Sequence, residues 1–249
     1  MHGRGEFFAL GLPGIAAGLI NTLAGGGPIL TLMALTLVGI DPRTANLTST
    51  AALLPGQLLT GQLLTGGVER VRLSVPILAI AVIGGGIGAG LLITTPSARF
   101  ARIVPWLVLF ATLAYLLAPR ATASGDAPAG PPALPARALL PLAPLSIYGG
   151  YFGGGNSFLV LALLGWLGLG GKHANAMKNA LIAVINGAAA AVFVVAGSIA
   201  WAAALPLALG NVAGSLIALR LLDRVSARLL RALVIASGFA LAAILFARS

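Results

Sequence analysis

The stretches Ala24-Gly-Gly-Gly-Pro28 and Phe152-Gly-Gly-Gly-Asn156 lie 128 residues apart, and each follows and precedes a run of apolar residues. Three consecutive glycines end one helix and allow the next to start in a new direction, because glycine adopts backbone conformations that other residues avoid. These two breaks therefore interrupt what would otherwise be plain hydrophobic spans.

The composition around the breaks is that of a membrane protein. Of the 249 residues, 59% are hydrophobic and 8% are charged, whereas a soluble domain carries about 25% charged residues. The basic residues stand singly or in pairs between apolar runs, as loop charges of membrane proteins do. The net charge of +10 therefore does not indicate a nucleic-acid patch. An ordinary soluble enzyme and a disordered chain are excluded.

Ten apolar segments are recognisable, and eight of them approach the length of about 20 residues that a spanning helix needs. The two that follow the glycine triplets, 28–40 and 156–170, are too short to cross the bilayer comfortably. The others are 7–24, 46–66, 73–95, 101–118, 138–152, 174–196, 199–222 and 229–247. A Pro-rich polar stretch, 119–137, is predicted to be a linker between residues 1–118 and 138–249.

The two halves resemble one another. Ala45-Asn46 matches Ala174-Asn175 at an offset of 129, and Pro76 matches Pro206 at an offset of 130. Such self-similarity predicts two repeats of five segments each, 1–118 and 138–249. If each glycine break turns the chain back, each repeat is a helical hairpin plus three spanning helices, and the second repeat is inverted. If each break only interrupts one span, the halves are parallel, with four helices each. We favour an all-α polytopic membrane protein with inverted repeats.

The positions of the charged residues indicate the kind of substrate and the orientation of the chain in the membrane. All five acidic residues lie in tails, loops or segment ends, whereas cation pumps and many proton-coupled carriers use carboxylates within the membrane. A cation substrate is therefore disfavoured. Lys and Arg residues are more numerous on the side of the linker in the inverted arrangement. The positive-inside rule then predicts a cytoplasmic linker and periplasmic termini.

Two polar stripes with identical spacing mark the third and eighth segments. They are Asn46, Ser49, Thr50 and Gln57 in the third segment and Asn175, Lys178, Asn179 and Asn186 in the eighth. Each set lies on one helical face, and polar groups facing lipid without a partner cost several kcal/mol. The stripes either line a cavity between the repeats, which we favour, or only hold helices together by hydrogen bonds. Lys178 is expected to bind an anion, unless it snorkels to the surface.

The helix starts after the glycine triplets are the second candidate element. The first N–H groups of a helix have no helical partner, and the helix dipole adds partial positive charge, so such a start binds anions. Pro28 suits a first helical turn, and Asn156 or Ser157 suits an N-cap. A tight turn or close helix packing is the alternative role. The predicted substrate-binding residues are the two stripes together with Gly25, Gly26, Gly27, Pro28, Gly153, Gly154, Gly155, Asn156 and Ser157.

No catalytic or metal site is recognisable in the sequence. The chain has no cysteine and two histidines, so it offers neither a thiolate zinc site nor a histidine cluster, and no nucleophile–base pair stands out. We therefore predict a protein that is not an enzyme and uses no metal and no cofactor. The run Gly84 to Gly90 follows no strand, so it is not a dinucleotide motif. Its spacings Gly84/Gly88 and Gly86/Gly90 predict helix packing.

Several of these motifs resemble one known family. Gly14-x-x-x-Gly18 before the first triplet, with Val38-Gly-Ile-x-Pro42-x-x-Ala45-x-x-Thr48-Ser49 after it, is similar to the first half of the TauE/SafE sulfite exporter family, also named 4-toluene sulfonate uptake permeases. Tyr148-Gly-Gly-Tyr-Phe-Gly-Gly-Gly155 and His173-Ala-Asn-Ala-Met-Lys-Asn179 with Asn186 resemble its second-half motif. The resemblance covers nearly the whole chain except the linker, and Asn156 departs from the family pattern. It implies a membrane carrier for sulfite, sulfonates or related organosulfur anions.

Together these features predict a secondary membrane transporter of small sulfur-containing anions, with its site at the midplane between the repeats. An anion channel and a carrier of a non-sulfur anion are the alternatives. The predicted partners are a small anionic substrate and the lipid bilayer, without nucleic acid; a homo-oligomer is left open. The predicted location is the bacterial inner membrane.

Overall fold

The computed structural model describes residues 9–23, 25–67, 73–117, 134–169, 171–221 and 227–248. Within these ranges the chain forms ten α-helices, one short 3-10 helix and no strand. The α-helices are α1 (Gly11–Leu23), α2 (Gly27–Leu37), α3 (Pro42–Gly67), α4 (Val75–Thr94), α5 (Ser97–Leu117), α6 (Leu139–Tyr151), α7 (Asn156–Trp166), α8 (Gly171–Val195), α9 (Trp201–Leu221) and α10 (Ala227–Arg248). The 3-10 helix is Ala136–Ala138. Most of the predicted linker 119–137 lies outside the described residues.

Each predicted apolar segment contains one helix. The helices α2 and α7 have 11 residues each, which gives about 16 Å of helix against a hydrocarbon core of about 30 Å. The helices α1 and α6 have 13 residues each. The expectation that both would approach spanning length is wrong for the described residues, in which α1 begins at Gly11 and α6 at Leu139 and each has 13 residues before it ends at its glycine break.

Among the described residues, four helices are long and apolar enough to cross a membrane. They are α4, α5, α9 and the part of α8 from Ala174 to Val195, with 20 to 22 residues each. Large apolar side chains on their outer faces are exposed, among them Ile83, Trp106 and Leu209. Contiguous apolar surface of this kind suits lipid rather than water. The prediction of an all-α, multi-pass membrane protein is confirmed.

The tightest helix contacts join the two halves of the chain. A Cβ on Gly18 of α1 would lie 2.1 Å from the Asn211 carbonyl oxygen of α9, and one on Gly88 of α4 would lie 2.0 Å from the Ile147 carbonyl oxygen of α6. The first helix of each half thus packs on the fourth helix of the other half. Gly84 also contacts α6, as its spacing from Gly88 predicted. Gly86 and Gly90 have no neighbour within 4 Å of an added Cβ, so the packing prediction is wrong for them.

The first glycine break doubles the chain back. A Cβ on Gly27 would lie 2.6 Å from the Ala17 carbonyl oxygen and 2.5 Å from the Asn21 Cβ. A helix that simply continued would separate Ala17 from Gly27 by about 15 Å. The start of α2 therefore lies beside the last turns of α1, and the two form a hairpin rather than one interrupted helix.

Candidate functional site

The two glycine breaks lie against one another. A Cβ on Gly25 would lie 2.4 Å from the Cβ of Ser157, the second residue of α7. Gly25 has φ +90° and Gly155 has φ +87°, in the left-handed region that residues with a side chain rarely adopt. Both breaks therefore need glycine for their backbone conformation. The first break needs it also because the second break lies so close.

The two short helices start at this junction. Helix α2 has Gly26 as its N-cap and Pro28 in its first turn, as predicted for Pro28. Helix α7 has Gly155 as its N-cap. The prediction that Asn156 or Ser157 would be the N-cap is wrong, because Gly155 takes the left-handed turn directly before the helix. No side chain caps either start, so no side-chain oxygen offsets the partial positive charge there.

Both polar stripes face protein. Every member is buried except Asn175, which is half-buried. The fully buried position of Lys178, with 0% of its surface exposed, rules out the alternative that this side chain snorkels to the surface in this structure. The stripes therefore do not face lipid, and their polar groups must be satisfied inside the helical bundle.

At their first positions, the stripes make two matching hydrogen bonds. The Asn46 side-chain amide of α3 donates to the Tyr151 carbonyl oxygen at the end of α6 across 3.1 Å. The Asn175 side-chain amide of α8 donates to the Thr22 carbonyl oxygen near the end of α1 across 3.2 Å. Each long helix thus holds the last turn before the glycine break of the other half.

Lys178 extends this arrangement at the first break. Its Nζ donates to the Asn21 carbonyl oxygen across 3.3 Å, so two side chains of α8 bind the last turns of α1. Among the described residues the acidic one is Asp41, which lies exposed at the start of α3 and accepts a hydrogen bond from the Thr44 N–H. Lys178 forms no ion pair with it. Within the described part of the chain, the buried Lys178 amine therefore has no carboxylate partner at the junction.

The corresponding side chains of α3 make different contacts. Ser49, at the position equivalent to Lys178, shares a short hydrogen bond with Thr31 of α2. The Thr50 hydroxyl donates to the Asn46 carbonyl oxygen of its own helix across 2.9 Å. The same hydroxyl oxygen would lie 2.9 Å from a Cβ on Gly153, so α3 closely approaches the second break.

The stripes touch each other directly at one pair of amides, Gln57 and Asn186. The Asn186 Nδ2 donates to the Gln57 Oε1 across 3.0 Å. The Gln57 Nε2 and the Asn186 Oδ1 are buried without a hydrogen-bond partner. The expectation that the two stripes face each other thus applies at their last positions, Gln57 and Asn186. Their first residues, Asn46 and Asn175, bind the broken helices instead.

Several buried side-chain polar atoms in the described residues have no hydrogen-bond partner, and some of them lie beside the two breaks. Such atoms cost about 1–3 kcal/mol each when nothing binds them, and they concentrate where water or a ligand completes the site. Besides the amide pair, they are Asn21 Oδ1, Thr22 Oγ1, Asn179 Nδ2, both side-chain polar atoms of Asn156, and Asn211 Oδ1 on α9, away from the breaks. Asn156 packs on Gly149, whose added Cβ would lie 2.1 Å from the Asn156 Nδ2.

Three residues of this region are not among the predicted substrate-binding residues. Asn21 and Thr22 supply the carbonyl groups that α8 binds. Their position in an apolar segment just before the first triplet was the available signal. The Tyr148 hydroxyl donates to the Gly154 carbonyl oxygen across 3.2 Å and so fixes the second break.

A separate cavity of about 510 Å³ lies between α5, α6 and α7. Its lining is largely apolar and includes Phe110, Pro144, Leu163 and Trp166. Tyr148, whose hydroxyl binds the Gly154 carbonyl oxygen at the second break, also lines this cavity. The cavity offers no charged group to a small anion, so the junction of the breaks is the better candidate site.

Comparisons with known proteins support a membrane transporter. The chain is 28% identical over 229 residues to the "Probable membrane transporter protein ORF9" of Sinorhizobium sp, covering 91% of this chain and 87% of that protein. It is 27% identical over 233 residues to a "Probable membrane transporter protein" of Haemophilus influenzae, covering 92% and 90%. It is 28% identical over 222 residues to the "Probable membrane transporter protein YfcA" of Escherichia coli K12, covering 88% and 81%.

No solved structure matches the chain. The model of the family described as "Sulfite exporter TauE/SafE" matches residues 10–245, which includes both glycine breaks and both polar stripes. This multi-pass membrane protein therefore belongs to the TauE/SafE family.

Proposed function

We propose that this protein is a secondary transporter that carries a small sulfur oxyanion, sulfite or an organosulfonate, across the bacterial inner membrane. The substrate binds where the two glycine breaks meet. The observation that carries the proposal is the contact of Gly25 with Ser157 beside a fully buried Lys178 that has no carboxylate partner in the described residues. Family membership and transporter-named relatives support the transport function.

The charge of the substrate follows from the groups at the junction. Two uncapped helix starts offer partial positive charge, and Lys178 adds a full charge when it is protonated. A cation at this depth costs about 2.5–3.5 kcal/mol to insert, so it requires a compensating partner. The anion supplies that partner, and Asn156, Asn179 and Ser157 supply oriented polar contacts. Glycine at the breaks lets the backbone approach the anion without an intervening side chain.

The hairpin at the first break supports the inverted arrangement. With α1 and α2 entering and leaving on one side, the three long helices α3, α4 and α5 carry the chain to the other side before the second half begins. Binding sites of inverted-repeat carriers lie at the midplane, where broken helices of the two repeats meet. The packing of α1 on α9 and of α4 on α6 relates the halves in the same reciprocal way. The termini are then periplasmic and the linker is cytoplasmic.

Sulfur as the central atom of the substrate rests on the family, whose description names sulfite. The decisive experiment is binding to purified protein, by calorimetry, of sulfite, sulfate, thiosulfate, taurine and acetate. We expect a sulfur oxyanion to bind, and Lys178→Ala to weaken its binding about ten- to a hundredfold, since a charged hydrogen bond contributes about 1.5–3 kcal/mol. Lys172→Ala, at the start of the same helix, is the control. Preference for acetate over every sulfur anion would contradict the proposal.

A further inference from the structure

We infer that the Lys178 ammonium occupies a cation site at the carboxyl end of α1, so that the transporter needs no dissolved cation at that position. This inference rests on the proposed anion transport and names what neutralises the oxygen-rich end of the broken helix. Carriers with broken helices bind their coupling cations at unwound carbonyl groups and half-helix C-terminal ends. Here a side chain of the protein itself holds the positive charge.

The oxygen atoms of the site come from two adjacent residues. Lys178 Nζ lies 3.3 Å from the Asn21 carbonyl oxygen, and the Thr22 carbonyl oxygen accepts the Asn175 amide at 3.2 Å. The Asn21 Oδ1 and Thr22 Oγ1 are buried without a partner, and their residues are 5% and 1% exposed. Backbone carbonyl, amide and hydroxyl oxygens together are a ligand set for Na⁺ or an ammonium group.

The equivalent place in the other half of the chain, at the end of α6, has neither the side-chain oxygen of Asn21 nor the ammonium of Lys178. The Asn46 and Asn175 hydrogen bonds make Tyr151 the counterpart of Thr22, at an offset of 129. At the same offset the counterpart of Asn21 is Gly150, and the counterpart of Lys178 is Ser49. Thus the side-chain oxygen and the ammonium are both present at the end of α1 and both missing at the end of α6. A lysine that only extended the polar stripe would not need this coincidence.

Electrostatics favours the same assignment. The C-terminal end of a helix carries partial negative charge, and a cation there is stabilised. That end of α1 is buried beside Gly27, so water cannot screen it fully. The ammonium donates to the Asn21 carbonyl oxygen of α1, and its remaining N–H groups are available to an anion. One fixed cation thus serves both the broken helix and the substrate.

The first test uses protein stability and needs no substrate. The purified full-length protein in detergent is heated in choline chloride, NaCl or methylammonium chloride, as wild type and as Lys178→Ala. We expect methylammonium or Na⁺ to raise the melting temperature of Lys178→Ala saturably, because either cation fills the vacated site, and to leave the wild type at its value in choline. Adding Asn21→Ala to Lys178→Ala removes the response.

The second test measures sulfite binding in the same salts. We expect equal affinity of the wild type in Na⁺ and in choline, and a loss of about ten- to a hundredfold for Lys178→Ala in choline that added cation partly restores. A requirement of the wild type for Na⁺ would overturn the inference, as would a folded Lys178→Ala that responds to no cation. If Lys178→Ala does not fold, Lys178→Gln replaces it, since Gln keeps a donor without the charge. Absence of sulfite binding together with the cation response in melting refutes the proposed substrate and not the cation site.

Discussion

Asn186 donates a hydrogen bond from its Nδ2 to the Gln57 Oε1 across 3.0 Å, and the two residues hold the same place in the two polar stripes, 129 residues apart. Two equivalent positions can touch only close to the axis that relates the copies. This amide pair therefore lies where the halves of the chain meet, between α3 and α8. The two glycine breaks also meet, at Gly25 and Ser157, which are not equivalent positions of the two halves.

The amide pair should couple the two long helices energetically. Gln57→Ala and Asn186→Ala each leave one buried amide without its partner, so we expect each to destabilise the protein by about 1–3 kcal/mol. The double variant should cost less than the sum, with a coupling of about 0.6–1.7 kcal/mol, as measured for hydrogen bonds between membrane helices. Denaturant unfolding in detergent micelles gives the three values. Strict additivity would mean that the hydrogen bond contributes nothing.

The two hydrogen bonds to the broken helices should matter more for transport than for stability. Asn46→Ala and Asn175→Ala each release a carbonyl oxygen just before a glycine break, so the break is no longer held in place. We expect each variant to lose most of its anion uptake into proteoliposomes while remaining folded. Asn211→Ala is the matched control, because the Asn211 amide donates to the Leu53 carbonyl oxygen across 3.0 Å, away from both breaks. Equal loss of transport in all three variants would assign the effect to stability alone.

Substitution of the glycines at the breaks should impair anion binding, whereas substitution of outward-facing glycines should not. Gly25→Ala and Gly155→Ala place a Cβ at positive φ and within 2.4 Å and 2.1 Å of Ser157 and Ala111, so we expect loss of anion binding in protein that still inserts. Gly86→Ala and Gly90→Ala add the same methyl group in open space on α4. They should stabilise that helix by up to about 1 kcal/mol without changing affinity. Binding by calorimetry and gel filtration of the four variants provide the comparison.

The inverted arrangement makes a prediction about sidedness. The chain has no native cysteine, so single cysteines can be labelled without background. Ala98→Cys, exposed at the start of α5, should react with a membrane-impermeant maleimide in intact spheroplasts. Asp126→Cys in the linker should react only after the membrane is opened. The opposite pattern would contradict periplasmic termini.

The sequence determined the membrane class and the helices because both depend on local properties. Apolar run lengths located ten helices, and the glycine triplets located both breaks. Composition and motifs also led to the family. These properties act over a few residues, so no knowledge of distant contacts was needed.

Tertiary structure decided what the polar residues bind. Sequence spacing placed Asn46, Asn175 and Lys178 on helix faces, but their partners are carbonyl groups 105, 153 and 157 residues away in the chain. A backbone carbonyl has the same chemistry in every residue, so no side-chain pattern indicates which one will accept a hydrogen bond from a distant helix. The sequence likewise did not distinguish Gly88 from Gly86, because which glycines of a helix meet a neighbour depends on how that neighbour packs.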